Sequence, residues 1–134
     1  MLRLLDDRNI KKLAIPGLTY KDNTHVVEES APIAIIKALS ERGIAITVFD
    51  PAGMEEAKEE LCGVKNVEYA GSATECIQGH ELCFIATPWR EFKAMSKETF
   101  VEFMKTPTVL DSWNLYSFTR QDTVEYFRLG TQMT

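Results

Sequence analysis

Ser30 to Asp50 reads SAPIAIIKALSERGIAITVFD, and two periodicities meet inside it. Ser30 is a helix N-cap residue, and Pro32 suits a first helical turn, where a missing N–H costs nothing. Ile33, Ile36 and Leu39 follow at helical spacing, Lys37 and Glu41 lie on the other side, and Gly43 ends the helix. Ala45 to Phe49 is then rich in β-branched residues and stops at Asp50-Pro51, which predicts a strand. A helix that runs within a few residues into a buried strand is part of a strand–helix–strand unit.

The pattern continues in both directions. Upstream, Leu13-Ala14-Ile15 is a short buried strand that stops at Pro16-Gly17-Leu18. Downstream, Met54, Ala57 and Leu61 mark one face of a helix closed by Gly63, and Val67 to Tyr69 is a short strand. Ser72 with Glu75 is a capping-box pattern for a helix that ends at Gly79. Leu82 to Ala86 is nearly all apolar, as a strand covered on both faces should be. A polar-aromatic segment runs from Thr87 to Ser96, followed by a helix through Phe100 and Met104. Thr108 to Leu110 is a fifth strand ending at Asp111, and the alternation from Val124 to Leu129 suits a sixth.

The expected fold class is α/β: a three-layer Rossmann-like domain with a mainly parallel five- or six-stranded sheet and helices on both faces. Ligands in such sheets sit beyond the carboxyl ends of the strands, where strand order reverses. With Rossmann-like order that point brings together Leu18 to Glu29, Thr87 to Arg90 and Asp111 to Asn114.

At 134 residues, with 45% apolar and 26% charged residues, the composition is that of one globular domain spanning 1–134. A net charge of −5 argues against non-specific nucleic-acid binding, which needs a basic face. No apolar stretch approaches the ~18 residues of a membrane span, and the amino terminus lacks a signal-peptide core. Cys62, Cys76 and Cys83 are odd in number and widely spaced, so they read as reduced thiols of a cytoplasmic protein, with no closely paired ligands for zinc.

The loop after the first strand carries Gly17, Thr19, Tyr20, Lys21, Asn23, Thr24 and His25. It is neither a dinucleotide fingerprint nor a Walker loop. A lysine near a helix N-terminus suits a phosphate, because it adds a point charge to free backbone N–H groups. A solvated loop lysine fits the local sequence as well. His25 reads as an acid–base candidate or a polar loop residue, and His80 as a solvent-facing turn residue. Trp89 and Phe92 read as packing at the sheet edge or as stacking on a base; Asp111 as capping a loop or as bonding a ligand or chain. Glu55, Glu56, Glu59 and Glu60 read as a solvated helix face.

Gly17 to Ser30, GLTYKDNTHVVEES, resembles the segment that opens the C-terminal domain of the UDP-glucose/GDP-mannose dehydrogenases. The resemblance continues in order through Glu41-Arg42-Gly43, Val48 to Pro51, Thr87 to Phe92, Val109 to Asp111 with Asn114, and Glu125 to Gly130. It implies a domain that covers the nucleotide end of a UDP-sugar or other nucleotide-sugar. That family oxidises a sugar C6 alcohol to a carboxylate with two NAD and a catalytic cysteine. The resemblance further implies that the NAD-binding Rossmann domain and the catalytic central part lie outside this chain, in cis or in trans. The chain alone then binds no cofactor and holds no catalytic residue. Lys21 matches the family's nucleotide-sugar lysine, Tyr20 the aromatic before it, and Thr24 and Ser30 also match; Asn23 completes the candidate substrate-binding set. His25, Trp89, Asp111 and Trp113 are candidates for the pocket rim.

Other positions depart from the pattern. Asp22 replaces a proline, and His25 and Val26 replace paired acids. Glu28 stands where an arginine faces the NAD pyrophosphate, and Trp113 aligns with a late arginine that reaches sugar or phosphate across a subunit boundary. Each charge-assisted phosphate contact is worth roughly 1.5–3 kcal/mol, so losing two weakens binding by about two orders of magnitude or more. Three readings follow: the UDP-sugar-binding domain of an NAD-dependent nucleotide-sugar 6-dehydrogenase; a standalone binding or interaction module with no catalysis, for which a homodimer is a candidate state; and a small NAD(P)-binding protein with Asp50 as its ribose acid.

Overall fold

The computed structural model describes residues 2–19, 24, 26, 27, 30–113, 115, 116, 118 and 124–128. Its elements are α1 Leu2–Asp7, β1 Lys12–Pro16, α2 Ala31–Glu41, β2 Ala45–Phe49, α3 Met54–Glu60, β3 Val67–Tyr69, α4 Ala73–Ile77, β4 Cys83–Ile85, α5 Arg90–Lys93, α6 Lys97–Phe103, β5 Thr108–Asp111 and β6 Glu125–Arg128. The strands form one sheet in the order β3-β2-β1-β4-β5-β6, and every pair is parallel. This is the Rossmann-like strand order, with its reversal between β1 and β4.

Alternation along the strands divides the core in two. Leu13 and Ile15 of β1, Ile46 and Val48 of β2, Phe84 of β4 and Leu110 of β5 point to one face and pack with α1, α2 and α3. Ala14, Phe49, Cys83, Ile85 and Val109 point to the other, against α4, α5 and α6. Both faces are therefore buried, which is why the inner strands read as unbroken apolar runs. Serines start three helices: Ser30, Ser72 and Ser96 accept from the amides of Ile33, Glu75 and Thr99 at 3.3, 3.1 and 3.3 Å. Glu75 reaches back to the Gly71 amide rather than to that of Ser72, a displaced capping box.

Two helices were not evident from the sequence. α5 is a single turn inside the polar-aromatic segment. α1 buries Leu5 beneath the first core, and the adjoining Arg8 crosses to β6. The Arg8 guanidinium donates to both carboxylate oxygens of Glu125, with Nη2 to Oε2 at 2.6 Å, and lies over the Phe127 ring. These bonds hold the Glu125 carboxyl below its ordinary range.

Burial overturns one further expectation. His80 does not face solvent: it is only 6% exposed. Its Nδ1 is 2.9 Å from the Gln78 carbonyl, which can only accept, so Nε2 accepts from Thr47 Oγ1 at 3.0 Å. Cys76 and Cys83 are buried, burial pushes both thiols up, and Cys76 Sγ donates to the Thr47 carbonyl. Cys62 is exposed. Among the described residues no helix is long and apolar enough to cross a membrane, and no His, Cys, Asp and Glu cluster is arranged for a metal.

Burial lowers the His80 pKa from 6.5, the nearby Lys12 charge adds to this, and the Gln78 carbonyl and Glu68 partly oppose it. The unfolded chain therefore takes up the proton first as pH falls. His80 contributes stability above pH 6.5 that is lost as the pH drops below it. Urea midpoints of the wild type should fall between about pH 7.5 and pH 5.5, and His80→Gln should remove most of that fall. An unchanged pH slope in the variant would refute this assignment. Glu125 acts separately: its stabilisation is lost only as the pH falls below the ordinary 4.5.

Candidate functional site

The carboxyl ends of β1, β2, β4 and β5 converge where strand order reverses. At the end of β1, Gly17 has φ +104, a region that L side chains rarely adopt. A Cβ there would lie 2.7 Å from the Thr87 amide nitrogen and 2.8 Å from the Thr87 Cβ. The ends of β1 and β4 thus abut. Thr87 Oγ1 then donates to the Thr19 carbonyl at 3.1 Å, which closes the seam.

Asp50, at the end of β2, joins this seam to α3. Its Oδ1 accepts from the amides of Leu18 (2.8 Å) and Thr19 (3.3 Å), from Thr19 Oγ1 (3.2 Å) and from Trp89 Nε1 (3.1 Å). Its Oδ2 accepts from the amides of Ala52 (3.0 Å) and Gly53 (2.8 Å). The carboxylate is 2% exposed and its bonding capacity is spent within the chain. That overturns the reading of Asp50 as a ribose ligand. Thr19, Thr87 and the Trp89 indole lie at this end of the sheet beside Asp50, so among the described residues the acid at the end of β2 is committed to the chain and does not fit a ribose.

Trp89 and Phe92 do not pack at the sheet edge. Trp89 is half-buried over the sheet centre, and its indole N–H is shared between Asp50 Oδ1 and Thr19 Oγ1 (3.2 Å). Phe92 is buried in the second core, edge-on to Phe49 with ring centres 6.4 Å apart.

At the end of β5, Asp111 is fully buried and turns inward. It accepts from the amides of Trp113 (2.8 Å) and Leu115 (2.7 Å) and from the Tyr126 hydroxyl (2.6 Å), which caps the following loop. Burial and that bond push the Tyr126 pKa up to about 12. Trp113 is 47% exposed, and its indole N–H donates to the Ala86 carbonyl at 2.8 Å. The face beside β4 is therefore an aromatic ring held from below. Thr24 is half-buried, and its Oγ1 accepts from the Val26 amide at 3.2 Å. Tyr20, Lys21, Asn23, His25, Glu28 and Asn114 lie outside the described residues.

The structure thus brings Trp89, Asp111 and Trp113 to one end of the sheet. It adds Thr19, Asp50, Gly53 and Thr87, which sequence reasoning did not single out for this face in these roles. Gly53 is needed for space: a Cβ there would lie 2.6 Å from Thr19 Cγ2 and 3.0 Å from Val27 Cγ1. The one local signal was Asp50-Pro51 followed by Gly53, a strand-end aspartate that can accept from the amides just beyond it.

Comparison with known proteins gives this face a context. The family model described as the UDP-glucose/GDP-mannose dehydrogenase family, UDP binding domain, matches residues 14–118. A UDP-glucose 6-dehydrogenase of Rickettsia conorii is 39% identical over 113 residues, covering 84% of this chain and 26% of that protein. Its counterpart in Rickettsia prowazekii is 35% identical over 133 residues, covering 97% and 30%. A solved UDP-D-ManNAc dehydrogenase from Pyrococcus horikoshii shares the fold with TM-score 0.73 at 20% identity, over 96% of this chain and 28% of that one. The chain spans between a quarter and a third of the length of these relatives.

The Gly17–Thr87 seam is testable against Gly43, where φ is +81 but nothing lies within 4 Å of a built Cβ. Gly43→Ala should cost about 1 kcal/mol, the backbone penalty alone. Gly17→Ala should cost at least about 2 kcal/mol more, since the β1 and β4 backbones must part. Equal losses in urea denaturation would show that the seam is not close-packed.

Proposed function

The chain belongs to the UDP-glucose/GDP-mannose dehydrogenase family through that family's UDP-binding domain, and from that premise we propose that it binds the nucleotide diphosphate end of a nucleotide-sugar. Lys21, Tyr20, Asn23 and Thr24 contact the ligand, with Lys21 supplying the charge to the phosphates. His25 and Trp113 form the rim. Trp89 and Asp111 serve from beneath, through the main chain they hold. The observation that carries this reading is the closed seam between β1 and β4. Asp50 and Trp89 are bonded to the chain beside that seam, which leaves the segment after Thr19, where Lys21 stands in the sequence, as the part proposed to meet the ligand.

In this proposal residues 1–134 are one domain. An NAD-binding Rossmann domain and a central part bearing a catalytic cysteine complete it, in cis or in trans, in the cytoplasm. The assembled enzyme oxidises a sugar C6 alcohol to the carboxylate, with four electrons passing to two NAD held by that other domain. No step of the oxidation falls to a residue of this chain, whose part is to bind and orient the nucleotide. Glu28 and Trp113, at positions where the resemblance expects arginines, favour a second reading: a binding or interaction module without catalysis, alone or as a homodimer.

Amide spectra titrated with UDP, UDP-glucose, GDP-mannose and NAD separate the two. Saturable shifts with a UDP compound, weakened roughly 10- to 100-fold by Lys21→Ala, are expected, because one charge-assisted bond is lost. NAD should give no saturable shift. A folded protein that shows no saturation with any nucleotide at several millimolar would sink the first reading and leave the module.

A further inference from the structure

The loop between β1 and α2 is closed at its neck by bonds that come mostly from elsewhere in the fold. On the entry side, Thr19 is fully buried: its amide and hydroxyl donate to Asp50, and its carbonyl accepts from Thr87. On the exit side, Ser30 Oγ donates to the Leu18 carbonyl at 2.9 Å while it caps α2, and the Ser30 amide donates to the Val27 carbonyl at 3.1 Å. Entry and exit are thus tied to each other, with Gly53 wedged beneath Thr19 and Val27. The one side chain that reaches this neck from beyond β4 with an N–H is Trp89, among the described residues. It stands just before α5, makes no side-chain cap bond to that helix, and gives its N–H to Thr19 Oγ1 and Asp50 Oδ1 instead. A phenylalanine would fill the same space. The indole nitrogen adds only the pair of bonds, and both end on groups that hold Thr19.

We propose that Trp89 is a positioning residue for the ligand loop: through its shared N–H bond it fixes Thr19, and so sets the point from which the loop leaves β1. It touches no ligand itself. Trp89 and the described start of the loop, Leu18 and Thr19, then act as one unit, and nucleotide affinity depends on an N–H donated from the segment after β4. This rests on the nucleotide-binding reading above, so the test includes a measurement made without ligand.

The test compares Trp89→Phe with wild type in the full 134-residue chain. Phe100→Leu, deep in the second core and away from the neck, serves as a stability control. Without ligand, exchange of the Leu18 and Thr19 amides should rise about tenfold in Trp89→Phe, while β2 and α6 amides keep their wild-type rates. With UDP, Kd should weaken about tenfold in Trp89→Phe and stay unchanged in Phe100→Leu. The wild-type Trp89 indole N–H resonance, assigned by its absence from the variant, should move in step with UDP.

Unchanged Leu18 and Thr19 exchange in Trp89→Phe would overturn the proposal. So would a loss of affinity matched by Phe100→Leu, which would make the tryptophan merely structural. If wild type binds no UDP, the nucleotide reading fails and the exchange pattern alone decides the positioning role. If Trp89→Phe does not fold, Thr19→Val removes one of the two acceptors of the indole N–H together with the hydroxyl bond to Asp50, and is judged by the same readouts.

Discussion

A buried carboxylate, held by neutral donors among the described residues, sits under the carboxyl end of the sheet. Asp50 is nearly inaccessible to water and accepts from four N–H groups of the main chain, one hydroxyl and one indole. A buried charge is costly unless its oxygens are bonded, so the donors must stay where they are. They come from the end of β1, the turn into α3 and the segment after β4. One side chain therefore fixes three pieces of chain that the sheet alone would leave to diverge. The serine at the start of α2 and the threonine after β4 complete what it begins.

Elements with a repeating pattern were legible in the sequence. α2 announced itself through Ser30, Pro32 and the spacing of Ile33, Ile36 and Leu39, and it runs Ala31–Glu41 as those residues require. β2 and β3 have the bounds expected, β4 lies within the expected strand, and the sheet is Rossmann-like in order. What escaped were features decided by partners distant along the chain. His80 reads as a turn residue until Thr47 comes to lie against it, and Trp89 reads as an edge aromatic until Thr19 and Asp50 accept its N–H. α1 has six residues of mixed charge and α5 has four, too few to establish a helical period. The acid at the end of β2 is the instructive case. Its position is where a ribose ligand would stand, and only the bonds to its oxygens show that it serves the chain.

The departures from the family pattern gain meaning beside this geometry. Trp113 does more than omit a charge: its indole N–H is committed to the Ala86 carbonyl, so the ring presents an apolar surface where a guanidinium would present five donors. Asp111 and Tyr126 hold the main chain behind it. The bonds that hold this framework are made beneath the face, by residues other than the candidate ligand-binding ones.

The link between Arg8 and Glu125 joins residues 117 positions apart and seats the last strand of the sheet against the first helix. Such a contact can form only after nearly the whole chain has been drawn together, because closing a loop of that length must precede any return from it. The Arg8 anchor of β6 is therefore expected to form later than the more local pairing of β6 with β5. Strengthening that anchor would leave the speed of folding nearly untouched and lengthen the life of the folded molecule, since the bond must break on the way out.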